Sequence, residues 1–452
     1  GAELPFRPEW WYWNATRIVE IKPNEQVPPI NEFPAFTFLY GDLHAHAMAL
    51  PLTQVALGIA LQWAVRKVGS IRSQLRLGLA RLPRPTGWAT LVLGALVAGA
   101  LRATNTWDYP TYLLLMGLGY LLPVLPTLVP NDREEIRSSW RYLHLLVPVV
   151  LFLLAELLFR PYTSRYAAAY TSIEPWRGAR TPLSDYLVMH GHFLLPVALL
   201  AAGSLLSLLH RWRRERAPWT GFGIVLVGVL LLTLVLLGLG VEAAWIAVPL
   251  GTLVALLLLA TERRPRRRTL WLWVGAALAL TLMVEVIVLK GDIGRMNTVF
   301  KFYLQVWILL ATAAAVAMEA LLHTVLWGSA EDELATRPPF YRALAENRQS
   351  LGDALVGILL VVVLATALYP LFAIPAKVRD RWAASAPHTL DGAAFIPYVT
   401  QHENGGRASL APDADVIRWL QENVDGSPVI MEAQAAREYL WGNRMSVYTG
   451  LP

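Results

Sequence analysis

The chain has 452 residues, of which 55% are hydrophobic and only 16% charged; soluble domains carry about 25% charged residues, so this composition reads as an integral membrane protein. With no cysteine it can build no disulfide framework, thiolate-ligated zinc, iron–sulfur cluster or thiol nucleophile, and any metal must rest on His, Asp or Glu. The formal net charge of +6 needs no nucleic acid to explain it, because membrane proteins gather Lys and Arg in cytoplasmic loops and no basic stripe interleaved with aromatics is present.

In chain order, Gly1 opens without a methionine and Pro452 follows a predicted strand directly, so the chain reads as part of a longer protein. Trp10, Trp11 and Trp13 suit an interfacial anchor, since indole favours the headgroup level. Asn14-Ala-Thr16 matches a glycosylation tripeptide, a pattern that chance produces often. Next comes Phe38-Leu-Tyr-Gly-Asp-Leu-His-Ala-His46. In extended backbone Asp42, His44 and His46 point the same way, as a divalent metal such as Mg or Mn would need, or a carboxylate oriented by imidazole. In helical backbone only Asp42 and His46 share a face. The competing reading has Asp42 capping the following helix and the histidines lying in the interface.

A bilayer-spanning helix needs about 20 mainly apolar residues. Ten stretches qualify: Ala47 to Val65, Trp88 to Leu101, Pro110 to Val129, Tyr142 to Phe159, Leu187 to Leu209, Thr220 to Leu239, Glu242 to Ala260, Leu270 to Leu289, Phe300 to Leu326 and Leu351 to Ile374. With these spans the loops on one side hold 21 Lys and Arg and the opposite loops before the tail hold 10, which makes the 21-residue side cytoplasmic. The first segment (1–46), three polar loops and a tail (375–452) then face outward, around a membrane domain of residues 47–374.

Polar residues collect where the outward loops meet the helices. Asn105-Thr-Trp-Asp-Tyr-Pro110 places Asp108 near a helix start, where capping is the simpler reading. His190 and His192 open the fifth span. Glu156 and Glu285 lie inside spans, positions that are costly for a charge unless it is paired or functional. Lys290 to Lys301 delivers Arg295 and Asn297 to the start of a long helix, an arrangement suited to a phosphate or carboxylate, and sets Lys301 one turn further in. In the tail, Asp413 and Asp415 suit a cap, Asp415 to Asn423 an amphipathic helix, Pro428 to Met431 and Met445 to Tyr448 strands, and Ala435 to Trp441 a helix. The fold class expected is an all-α polytopic membrane protein of about ten spans with a small extracytoplasmic α/β domain.

The blocks Glu32-Phe-Pro to Pro51, Thr104 to Pro110, Arg295-Met-Asn-Thr-Val-Phe-Lys-Phe-Tyr303 and Asn443 to Pro452 resemble those of the YYY membrane proteins, a prokaryotic family known mainly as a domain of unknown function. The architecture is also similar to GT-C glycosyltransferases, which move a sugar from a polyprenyl-phosphate carrier with inversion. By position the likeness matches Asp42 to the base or metal holder and Arg295 with Lys301 to the contacts with the carrier phosphate; Asp108 is a further catalytic candidate, Asn297 and His190 are further candidates for binding the substrate phosphate, and Asp42, His44 and His46 are the candidate metal set. The likeness also implies a lipid-linked sugar donor and a cell-membrane location, with the bilayer as the surrounding partner. Asp42 stands beside two histidines here, where better-known members have an acidic pair. Two other classes compete. One is a transporter or flippase for an anionic lipid or solute, which should show mid-membrane charges and inverted repeats. The other is a structural or pigment-binding subunit using His144, His190 and His192 as ligands.

Overall fold

The computed structural model describes residues 8–19, 27–41, 44–66, 85–125, 139–166, 172–214, 220–260, 265–327, 348–403, 406–433 and 441–452. Asp42 lies outside them, and so do most of the Arg-rich loop residues. The chain divides into two units, Gly1–Ile374 and Pro375–Pro452.

Each of the ten apolar stretches contains a helix. After two short helices, α1 (Pro8–Asn14) and α2 (Pro34–Tyr40), come α3 (Ala45–Val65), α4 (Pro85–Thr104), α5 (Asp108–Leu121), a 3-10 turn leading into α6 (Val147–Leu158), and the one-turn α7 (Arg160–Thr163). There follow α8 (Leu183–Arg214), α9 (Thr220–Gly238), α10 (Ala244–Ala260), α11 (Pro265–Val286), α12 (Met296–Trp327) and α13 (Arg348–Arg381). Among the described residues six segments are long and apolar enough to cross a membrane: Ala45–Val65, Gly87–Thr104, Leu183–His210, Pro265–Val286, Met296–His323 and Gly352–Arg379. Tyr142–Leu158, Gly223–Gly238 and Ala244–Leu259 are shorter apolar runs, and α5 stops after 14 residues. The chain is therefore a membrane-embedded helical protein.

Helix α11 sits at the centre, packed on α3, α10 and α12; α3 also packs on α4 and α5, α12 on α8, and α4 on α6. The shared core contains Trp271, Tyr112, Tyr186, Tyr303 and Met116, all essentially inaccessible. Where α3 meets α5 the backbones approach closely: a Cβ built on Gly119 would lie 2.6 Å from the Ala60 carbonyl oxygen. Small residues allow such contact in lipid, where helix association depends on packing more than on the hydrophobic effect. By contrast α9 and α13 expose large aliphatic side chains along most of their length, including Ile224, Leu231, Val361 and Leu371, as lipid-facing helices do.

The two acids singled out within the apolar stretches, Glu156 and Glu285, are both paired. Glu156 on α6 forms an ion pair with Arg102 on α4 and accepts a hydrogen bond from the Tyr109 hydroxyl (2.8 Å), joining three helices. Glu285 pairs with Arg295 at 2.7 Å. In the first segment Tyr12 stacks on Phe36 (4.5 Å between centroids), and Phe33 and Trp11 meet Tyr369 and Phe372 of α13. Trp10 and Trp13 remain about two-fifths exposed, as an interfacial anchor requires.

The second unit is smaller. Strands β3 (Thr400–Glu403) and β4 (Gly406–Ser409) form an antiparallel hairpin ahead of α14 (Ala411–Asn423) and α15 (Arg444–Thr449), while β1 (Ile173–Pro175) and β2 (Ile287–Leu289) pair separately in the first unit. Ile396, Leu410, Ala414 and Ile417 form its core, with Trp441 and Tyr448 against them. Two expected strands are absent. Pro428 to Met431 is irregular, with Val429 and Met431 exposed, and Met445 to Tyr448 is helical. The helix forms because the Glu432 carboxylate, distant in sequence, accepts the Met445 and Ser446 backbone N–H groups, both at 3.1 Å, satisfying donors that a helix start leaves free. Asp413, expected as a cap, accepts instead from the Trp441 indole (2.9 Å) and pairs with Arg444 (2.8 Å); Asp415 makes an exposed pair with Arg418. Most of Ala435 to Trp441 lies outside the described residues.

Burial acts to raise the Glu432 pKa, yet the Ser446 and Met445 N–H groups and Arg444 hold it below the usual carboxylate range. A carboxylate depressed in the folded state contributes stability above its unfolded pKa of about 4.3, and that contribution is lost as pH falls through the folded value. Glu432→Gln is accordingly expected to speed hydrogen exchange in α15 at pH 7 and to make little difference near pH 3. Equal effects at both values would contradict a charge-dependent cap.

Candidate functional site

At one end of the bundle the starts of α3, α5 and α12 come together. Gly41 ends α2 in the left-handed region (φ +73°), and His44 is extended (φ −74°, ψ 150°) immediately before α3 begins at Ala45. This backbone is neither of the two uniform geometries considered from sequence: extended at His44, helical from Ala45. It nevertheless joins the imidazoles, with Nδ1 of His46 2.8 Å from Nδ1 of His44. The Nε2 of His46 lies 3.1 Å from Oε2 of Glu32, a carboxylate steadied by a hydrogen bond from the Thr37 hydroxyl (3.0 Å). The result is a chain of carboxylate, buried imidazole and exposed imidazole. The edge-on Phe300 ring, 4.5 Å from His46 between centroids, packs α12 against it.

Asp108 is the first residue of α5 and is 5% exposed. Its side chain does not cap the helix; it accepts from Gln305 Nε2 (2.8 Å) and Asn105 Nδ2 (3.0 Å), which holds α5 and α12 together. His46 and Lys301 both act electrostatically on Asp108, and Lys301 is attracted by Asp108 and Asp292. An imidazole and an ammonium from two helix starts thus lie within electrostatic range of a carboxylate on a third.

The remaining predicted residues have other partners. Arg295, 2% exposed, donates to Glu285 Oε1 (2.7 Å), the Thr181 hydroxyl (2.9 Å) and the Val284 carbonyl (3.4 Å). Thr181 in turn donates its N–H and hydroxyl to Glu285 (3.0 and 2.6 Å). Asn297 donates its amide to Asp292, whose carboxylate also accepts the Asn297 and Thr298 N–H groups and the Thr298 hydroxyl at 2.7–3.1 Å. The N–H groups at the start of α12, expected to face an anionic ligand, hold the carboxylate of Asp292 of the same chain. His190 is fully buried between the rings of Tyr186 and Tyr303 (5.1 and 4.9 Å), and neither of its nitrogens has a hydrogen-bond partner among the described residues. His144 Nδ1 lies 2.7 Å from the Tyr120 hydroxyl.

Among the described residues no group of three or more His, Asp or Glu side chains is arranged to hold a metal ion. His46 has one nitrogen at Glu32 and the other at His44, and Asp42, the third member of the expected metal set, lies outside the described residues. Glu32 and Gln305 complete the cluster without having been expected from sequence. Gln305 had a signal, an amide one turn beyond Lys301 in an apolar run; Glu32 had none beyond its place before Phe33-Pro34.

A helix bundle of this length and apolarity, with its open polar cluster at one end, defines a multi-pass membrane protein. A model of the uncharacterized membrane protein family DUF2298 matches residues 2–310, and the chain belongs to that family. No curated protein and no solved structure matches it.

Proposed function

We propose that the protein is a membrane glycosyltransferase that moves a sugar from a polyprenyl-phosphate-type carrier to an acceptor on the extracytoplasmic side of the cell membrane. In this reading all ten apolar helices span or enter the bilayer, with the Arg-rich loops inside and the second unit outside. One observation supports it above the others: His46, Asp108 and Lys301 gather at the end of the bundle where the polar loops meet the helices, from three separate helix starts. A transporter would be expected to hold its charges near mid-membrane.

Chemically, Asp42 takes the proton of the acceptor hydroxyl as that oxygen bonds to the anomeric carbon. The carbon–oxygen bond to the carrier phosphate breaks, and the departing phosphate keeps the electron pair. Lys301 opposes the charge that develops there, the kind of preorganised electrostatic help that usually dominates such catalysis. Asp108 attracts Lys301 electrostatically. The Glu32–His46–His44 chain keeps the base region polar and oriented, with exposed His44 relaying the proton to water. Arg295 serves the fold by fixing the loop that leads into α12. In membranes supplied with a lipid-linked sugar, Asp42→Asn is expected to lower transfer by at least about 100-fold; undiminished transfer would remove Asp42 from the role.

A further inference from the structure

The second unit has a cavity of its own, of about 320 Å³, that the steps of sugar transfer leave unused. The β3–β4 hairpin contributes Gln401, Arg407 and Ser409 to its wall, and Asp413 of α14 closes it together with Trp441 and Arg444 from the approach to α15. Sites for small molecules begin at about 300 Å³, so the space suits one small polar ring.

Most of the charge in this wall is committed. Arg444 Nε lies 2.8 Å from Asp413 Oδ2, its Nη1 donates to the Trp441 carbonyl at 2.9 Å, and it acts electrostatically on Glu432. Asp413 Oδ2 also accepts the Trp441 indole N–H at 2.9 Å. Both contacts to Asp413 fall on one oxygen, so Oδ1 stays available as an acceptor. Ser409 accepts the Ala411 N–H at 3.3 Å and keeps its own O–H to donate. Arg407 differs from Arg444: it is exposed on β4, and its side chain forms no ion pair or hydrogen bond among the described residues. The cavity thus offers one uncompensated cation, one hydroxyl donor and one carboxylate acceptor.

We propose that this cavity binds a saccharide bearing a carboxylate, such as a uronic acid, and that a glycan of this class is the acceptor; this names the acceptor of the sugar-transfer reading and rests on it. Arg407 takes the sugar carboxylate, since a planar guanidinium matches that group with two parallel donors. A single free cation suits an anion of one charge, whereas a phosphate dianion would also meet the negative Asp413 and Glu432. Asp413 adds the selection. Its Oδ1 needs a donor, which a ring hydroxyl supplies and a bare carboxylate does not, while Ser409 donates to a neighbouring sugar oxygen.

The test is a binding titration of the full chain in detergent, followed by ligand-observed NMR, with methyl glucuronide, methyl glucoside, acetate and inorganic phosphate as separate probes. Wild type is expected to bind methyl glucuronide at least about tenfold more tightly than any of the other three, the scale of one charge-assisted hydrogen bond. Arg407→Gln should bring the glucuronide down to the level of the glucoside, and because Arg407 is exposed the variant keeps its fold. Equal binding of glucuronide and glucoside by wild type would overturn the proposal, as would an unchanged preference in Arg407→Gln. Acetate or phosphate binding as well as the glucuronide would also overturn it, because the site would then take a bare anion. No lipid-linked donor enters the titration, so loss of the transfer reading would leave a measured preference standing, and absent binding would leave transfer to another acceptor class intact.

Discussion

Glu285→Ala is expected to destabilise the membrane unit by about 3–5 kcal/mol, the range for stranding one partner of a buried ion pair. Arg295 is 2% exposed and its guanidinium is directed at Glu285, the Thr181 hydroxyl and a backbone carbonyl. Removing the carboxylate leaves a cation that cannot reach water and cannot lose its proton. The reverse change should be milder. In Arg295→Met, Glu285 still accepts the Thr181 N–H and hydroxyl, and a carboxyl can take up a proton where a guanidinium cannot release one. The double variant Glu285→Ala/Arg295→Met should therefore be more stable than Glu285→Ala alone. Thermal unfolding of the detergent-solubilised protein, read as three midpoints, checks this ordering. If the double variant unfolds at or below the temperature of Glu285→Ala, the buried pair is not what holds this junction.

The position of that pair explains much of what could and could not be read from sequence. Hydropathy located helices α3 to α6 and α8 to α13, because a 20-residue apolar run has few alternatives to a helix in lipid. It did not separate the six long segments from the shorter runs, since α5 ends at Leu121 while its apolar composition continues. Arg295 illustrates a different limit. Cations near helix starts suit phosphates, and nothing local distinguishes an arginine open to a ligand from one folded back on Glu285 ten residues earlier. The same holds for the helix start itself: an anion site was legible there, but not that Asp292 would occupy it. Glu432 and α15 repeat the pattern, because a cap supplied from twelve or more residues away carries no short motif, unlike the Ser-x-x-Glu box. Strand expectations in the tail failed for that reason. Short apolar runs such as Met445 to Tyr448 fit either helix or strand by periodicity, and the distant carboxylate decided between them.

The cluster at the starts of α3, α5 and α12 follows a similar logic. The spacing of His44 and His46 was legible as two imidazoles close together, and Asp108 and Lys301 as helix-start residues of unusual polarity. Their convergence was not legible, because it depends on α3, α5 and α12 packing with their starts at one level. Gln305 makes the arrangement specific. By donating to Asp108 at 2.8 Å and to the Trp107 carbonyl at 3.1 Å it fixes the register of α12 against α5, and so fixes the height of Lys301 relative to the acid.

That geometry gives the second large effect. Under the proposed sugar transfer, Lys301→Met is expected to reduce the rate by about 10²–10³-fold, the range for removing one preorganised electrostatic donor from a reaction centre, with little change in the amount of folded protein. Methionine preserves the length of the side chain, and it removes a charge whose burial in an apolar span is unfavourable, so any fall in rate belongs to chemistry more than to folding. Lys301→Arg should recover part of the rate, because it restores the positive charge with a different donor geometry. The loss should appear in kcat more than in KM, since charge on the departing phosphate grows toward the transition state. Measuring both constants for the two variants with a lipid-linked sugar separates the cases. A pure KM effect would recast Lys301 as a docking contact for the carrier, and unchanged constants in Lys301→Met would detach it from the reaction altogether.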